Sequence, residues 1–188
     1  MADYKHLPKF ILLAEGGEVT DTTDTASVNP CPDGTGVHTN KGITWTVWSS
    51  KNGTSQDSID RFHAMSFDDW CLIFKGLFWD KALGDKINSQ RIADAIADWL
   101  WGSGVHYPEL DIQIILDTLF NDHLAEDGCF GQMTVDAINA ADEQTLWDDI
   151  VARRLKYLKD IVLANPPQIK FLKGWQNRMN NLIAFENS

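Results

Sequence analysis

The sequence predicts a mainly α fold with a long structured loop after the first helix. Three observations carry that prediction. Apolar residues recur at helical spacing in segment after segment beyond residue 66. Serines stand before several of these runs and glycines or prolines after them, where helix caps and breaks belong. Residues 16–53 differ: they are rich in Thr, Asp, Gly and Pro and read as a loop.

The first helix is expected over 6–15, with Phe10, Ile11, Leu12 and Leu13 apolar and Pro8 tolerated in its opening turn. Gly16-Gly17 predict its end. Within the long loop, Ile43-Thr44-Trp45-Thr46-Val47-Trp48 alternates in β-favouring residues and reads as a short strand. A helix over 66–78 follows, with Ser66 as its cap, Asp69 three residues on, and Trp70, Ile73, Phe74 and Leu77 as one stripe. The next begins after Ser89, buries Ile92, Ala93, Ile96 and Leu100, and ends at Gly102-Ser103-Gly104. Another follows Tyr107-Pro108, with Leu110, Ile114 and Leu119.

Asp127-Gly128-Cys129-Phe130-Gly131 predicts a tight turn, followed by a short helix over 134–140 with Thr134 as its cap. A long helix over 143–163 carries Leu146, Ile150, Leu155, Leu158 and Val162, and Pro166-Pro167 break it. The final helix bears Phe171, Leu172, Trp175, Met179 and Leu182. Helices of this number and length, joined mostly by short loops, predict a bundle-like core.

The net charge of −11 argues against non-specific nucleic-acid binding, which needs Lys and Arg to neutralise phosphates. Cys31, Cys71 and Cys129 are odd in number and far apart, without CxxC spacing, so free thiols are expected rather than a disulfide framework. Cys31 lies near His38, but two ligands do not make a metal site. Asp127-Gly128 lacks the spaced carboxylates of a calcium loop. No cofactor or metal is implied. His63, His106 and His123 have no partners recognisable in the sequence. The N-terminus does not read as a signal peptide, and the apolar run 10–14 is too short for a membrane span.

Glu15 is the most informative residue. It ends an apolar helical run, at the negative end of the helix dipole. That placement, with burial against helix-end aromatics, favours the protonated form, which a general acid for glycoside cleavage requires. An ordinary helix ending in Glu-Gly is the plain alternative. The long loop that follows Glu15 favours function, because long loops in compact domains are often functional.

The pattern Glu15-Gly16-Gly17, then Asp21 and Asp24, then Thr39-Asn40-Lys41-Gly42-Ile43-Thr44 resembles the signature of glycoside hydrolase family 108. Phe78-Trp79-Asp80, residues 92–104, Asp127-Gly128 with Phe130-Gly131 and Thr134, and Lys173-Gly174-Trp175 with Arg178 match further elements of that family in order. Family 108 proteins are N-acetylmuramidases of phage and bacteria, formerly labelled secretion activators. The resemblance implies a lysozyme-like helical fold, a catalytic region over 1–94 and a predicted peptidoglycan-binding region over 95–188, packed as one compact unit. It also implies that the segment after Ile43-Thr44 leads into a helix. One departure stands out: residues 25–38, including Asn29-Pro30-Cys31-Pro32 and Asp33-Gly34-Thr35-Gly36, are longer than the family pattern.

On this reading Glu15 donates the proton to the departing oxygen of a β-1,4 bond. Asp21 and Asp24 are the nearby carboxylates for activating water or stabilising charge, with turn capping as their alternative role. Thr44 can hold water through its hydroxyl, or simply pack. Thr39 aligns with the family threonine and, with Trp45 and Trp48, is a candidate for substrate binding; core packing is the alternative for the tryptophans. The chain has eight Trp, and flat aromatic faces suit pyranose rings. Arg178 is expected to pair with an acidic side chain. The expected partner is peptidoglycan glycan strands, without nucleic acid or integral membrane contact. The expected location is the cell wall, reached through a holin or secretion machinery. A lytic transglycosylase using the same Glu, and a non-catalytic peptidoglycan-binding or secretion-accessory protein, are the rival readings. The acidic net charge gives no help in approaching an anionic wall.

Overall fold

The computed structural model describes residues 1–121 and 123–188. The described residues form α1 (Leu7–Ala14), β1 (Glu18–Val19), β2 (Thr39–Asn40), β3 (Ile43–Thr44), α2 (Trp45–Asn52), α3 (Gln56–His63), α4 (Phe67–Phe74), α5 (Gln90–Ser103), α6 (His106–Phe120), α7 (Gln132–Ala140), α8 (Glu143–Ala164) and α9 (Ile169–Glu186). The fold is mainly α, as the sequence predicts. Two compact units are present, Pro8–Leu77, and Met1–Leu7 with Phe78–Ser188. Helix α5 lies wholly within the latter unit.

In the unit Pro8–Leu77 the strands form an antiparallel sheet in the order β1-β2-β3. Lys41 and Gly42 make the two-residue β2–β3 turn, both with positive φ (49° and 78°), as a type I′ hairpin requires. A lysine is strained there, and its surroundings hold it. Lys41 Nζ donates to the Met65 carbonyl at 2.5 Å, and Trp70 Nε1 donates to the Lys41 carbonyl at 2.9 Å. Asn40 is buried, and its Nδ2 donates to the Phe62 and His63 carbonyls at 2.7 and 3.2 Å. It thereby satisfies carbonyls at the end of α3 that the helix itself leaves open. Trp45, Trp48 and Phe62 pack together beside this sheet, and Trp70 stacks on Phe74 at 5.4 Å.

In the other unit α5 is the central element. Every residue from Ile92 to Leu100 is buried, and α6 and α8 pack against it. Its small side chains, Ala93, Ala95 and Ala97, suit close helix packing. Its buried Asp98 takes two cations, Arg154 of α8 at 2.8 Å and Arg178 of α9 at 2.6 Å. Ser89 caps α5 by accepting the Ile92 N–H, and Asp142 caps α8 by accepting that of Thr145.

Several local expectations change. Gly16 and Gly17 do not adopt a left-handed cap. The chain leaves α1 because the Gly17 carbonyl accepts the Lys41 N–H at 3.2 Å and draws the backbone toward the sheet. Helix α4 ends at Phe74, and a π-helical turn, Lys75–Trp79, replaces its expected last turn. Helix α6 starts at His106, ahead of Tyr107-Pro108, with Pro108 in its first turn. Gly131, not Thr134, stands at the N-cap of α7, and Thr134 is buried.

Candidate active site

Glu15 lies one residue beyond α1, its N–H donating to the Ile11 carbonyl at 3.1 Å, so the helix's last turn closes on it. Its side chain is half-buried. The carboxyl group thus stands at the C-terminal end of α1, three residues before β1.

The sheet sets the arrangement of the residues beyond Glu15. In register, Val19 pairs with Thr39 and Thr39 with Thr44; Glu18 pairs with Asn40 and Asn40 with Ile43. Directly paired residues share a face. Val19, Thr39 and Thr44 therefore form one row, all half-buried, while Asn40 and Ile43 are buried on the other face. Thr44 has a second role. As N-cap of α2, its Oγ1 accepts the Val47 N–H at 3.3 Å. The expected strand over 43–48 is therefore only Ile43–Thr44, and the cap turns the chain into a helix at Trp45.

His38, weighed in the sequence only as a metal ligand beside Cys31, joins these elements. It is fully buried; Nε2 lies 3.2 Å from the Asp21 carbonyl and Nδ1 lies 3.0 Å from Thr39 Oγ1. With Nε2–H donating to the carbonyl, Nδ1 of the neutral ring accepts the Thr39 hydroxyl hydrogen. The backbone at Asp21 is thus anchored to the threonine row.

The Asp21 carboxylate accepts the Thr23 N–H at 2.8 Å and the Thr23 hydroxyl at 2.7 Å. Those bonds, the backbone one foremost, hold its carboxyl below the usual range, so it is ionised at neutral pH. Asp24 accepts the Ala26 N–H at 2.8 Å and caps the 3-10 turn Thr25–Val28. Both carboxylates serve turns, and His38 ties only Asp21 to the sheet.

Trp45 and Trp48, candidates for substrate binding with core packing as the alternative, are core residues. Trp45 is 6% exposed with its ring edge-on to Phe62; Trp48 is fully buried, its indole N–H donating to Ser58. Neither offers a sugar an open ring face, because both are buried against Phe62, and the Arg61 guanidinium lies over the Trp48 ring at 5.7 Å. His63, for which the sequence showed no partner, lies between Glu18 and Asp33, 2.5 Å from each.

In the second unit, Arg178 pairs with Asp98 as expected of it. Gly102, Tyr157, Trp175, Arg154 and Arg178 line a pocket of about 130 Å³. The Asp127-Gly128 turn is held to α6: Gln113 accepts the Gly128 N–H at 2.8 Å and donates to Asp127 at 3.0 Å. Its conspicuous motif is a structural clamp. Among the described residues, no helix is long and apolar enough to cross a membrane.

Comparison with known proteins gives two family matches. Residues 8–104 match the model for glycosyl hydrolase 108, and residues 108–180 match that for a predicted peptidoglycan domain. No curated protein matches the sequence. Among solved structures, that of SagA from Brucella abortus superposes with a TM-score of 0.69 at 21% identity, covering 98% of this chain and 96% of that one. At that identity the likeness establishes the fold.

Proposed function

The chain belongs to glycosyl hydrolase family 108, and from that premise we propose an N-acetylmuramidase that cleaves the β-1,4 bond between N-acetylmuramic acid and N-acetylglucosamine. Glu15 is its general acid. The observation that carries this reading is the position of Glu15 at the end of α1, immediately ahead of a sheet whose row of Thr39 and Thr44 shares one face.

In this mechanism Glu15 protonates the glycosidic oxygen as the bond to the muramyl carbon breaks, and the ring oxygen shares the developing positive charge. Asp21, kept ionised by Thr23, supplies the negative charge. Thr44 already accepts the Val47 N–H, so its own hydrogen is free to orient a water. Thr39 is held by His38 and contributes to substrate binding through its place in the row. Asp24 supports the turn behind Asp21. The region covering residues 108–180 retains the enzyme on peptidoglycan strands. The protein works at the wall, reached through a phage holin or dedicated secretion machinery.

The test is mass spectrometry of soluble products released from Gram-negative peptidoglycan. Reducing muramic ends are expected. Anhydro-muramic ends would instead mean that the muramyl 6-hydroxyl takes the place of water, the chemistry of a lytic transglycosylase. Pelleting on the wall without products would mean a binding protein.

A further inference from the structure

The stretch over residues 25–38 that exceeds the family pattern is not a slack insertion. The Cys31 N–H donates to the Val37 carbonyl at 2.7 Å and closes a tight loop. Gly34 and Gly36 take left-handed φ of 82° and 76° within it. Asp33 Oδ1 accepts the Thr35 N–H at 3.0 Å and the Thr35 hydroxyl at 2.7 Å. This leaves Asp33 Oδ2 to face His63 Nε2 at 2.5 Å, while the other ring nitrogen of His63 faces Glu18 at 2.5 Å. The Cys31 thiol is buried in the same place. Donor atoms of Cys31, Asp33 and His63 all lie within 4.8 Å of one another.

The geometry points to a zinc site formed by Cys31 Sγ, Asp33 Oδ2 and His63 Nε2, with water as the fourth ligand. Four features of this cluster fit zinc. A sulfur, nitrogen and oxygen donor set suits zinc and disfavours magnesium or calcium, which take oxygen ligands. A thiolate and a carboxylate match the two charges of the ion. Glu18 accepts from Nδ1–H and so fixes the tautomer that presents Nε2, while Thr35 holds the other oxygen of Asp33; such outer partners orient metal ligands. The ion also has access, since the His63 and Asp33 side chains are 25% and 17% exposed.

Tetrahedral bonds of about 2.0–2.3 Å place donors roughly 3.3–3.6 Å apart, so Asp33 and His63 must separate by about 1 Å on binding. Partial exposure allows that movement. Without the ion, His63 bridges the two carboxylates. The Cys31 side chain hydrogen-bonds to Asp33 as well, so all three donors already converge on one point. The ion would fasten the inserted loop to the last residue of α3 and, through Glu18, to β1. The residues are not those of the glycosidase mechanism, so metal uptake is tested apart from lysis.

The experiment strips the full chain with EDTA and titrates it with Zn²⁺ by calorimetry, using Co²⁺ as a spectroscopic probe. One zinc per chain is expected, with a thiolate-to-cobalt absorption band. Cys31→Ser should abolish that band, and His63→Gln should lower zinc affinity by at least about tenfold. Cys129→Ser, at an exposed free thiol, should change neither. His63→Gln keeps the buried thiol, and circular dichroism of the metal-free variants confirms their fold. Wild-type chain that takes up no stoichiometric zinc, or takes it up as tightly in Cys31→Ser and His63→Gln, overturns the proposal.

Discussion

Thr39 stands directly opposite Thr44 across the β2–β3 ladder, and Thr44 also caps α2. One hydroxyl caps the helix and, in the proposed mechanism, also orients the water. Thr44→Val should cost about 1 kcal/mol through the lost cap, read by chemical denaturation. It should also slow wall hydrolysis roughly tenfold, the worth of one lost hydrogen bond to an oriented water. Thr44→Ser keeps both bonds and should restore stability and rate together.

The Asp98 carboxylate is fully buried between Arg154 and Arg178. Asp98→Asn leaves two guanidinium groups facing an amide, with Arg154 itself buried. A loss of about 3–5 kcal/mol is expected, as when one member of a buried ion cluster is removed. Urea unfolding of the variant measures it. A loss below about 1 kcal/mol would place the cluster with surface pairs, which contribute little.

A pH response should come from α5 and α9. Burial pushes the Asp94 carboxyl up to about 8, with further contributions from Asp98 and Asp3; Gln90 and Glu186 hydrogen bonds oppose it. Burial, then the Asp94 charge, pushes Glu186 up to about 8. His6 Nδ1 lies 2.5 Å from Asp94 Oδ2. Unfolded carboxyls titrate near pH 4, so the folded chain holds protons that the unfolded chain has released. This stabilisation is complete below about pH 4 and is lost as pH rises through about 8. Across that window each retained proton gives a slope of at most about 1.4 kcal/mol per pH unit. Asp94→Asn should flatten the dependence of the urea midpoint between about pH 5 and 8, an interval chosen inside that window. An unchanged slope would remove Asp94 as its source.

Gly128 combines a left-handed φ of 66° with a backbone so close to His106 that an added Cβ would collide with its ring. Gly128→Ala should therefore destabilise by more than about 1 kcal/mol, from strain and from the displaced ring. A thermal melt detects the loss, and an unchanged midpoint would show that the Gln113 clamp tolerates the shift.

The helices were legible where periodicity and caps agreed, as at Ser66, Ser89 and the long run of α8. Helix α3 was missed because Ile59 and Phe62 are its only large apolar residues and the rest of Gln56–His63 is polar. The strands have two residues each, too few for alternation to appear. The position of Glu15 at the end of the first helix was legible from the apolar run before it. The burial of Trp45 and Trp48 was not, because the same side chain suits a core or a sugar. His63 meets Glu18 and Asp33 across separations of 45 and 30 residues, and His38 meets Asp21 across 17. Contacts so distant depend on the completed fold.

The most direct test of the central claim is the rate of peptidoglycan solubilisation by Glu15→Gln beside the parent chain, with wall pelleting measured in parallel. The substitution keeps the shape and removes the proton donor. A fall of at least ~10²-fold with pelleting retained is predicted for loss of a general acid. A variant that solubilises walls as fast as the parent would contradict the assignment of Glu15.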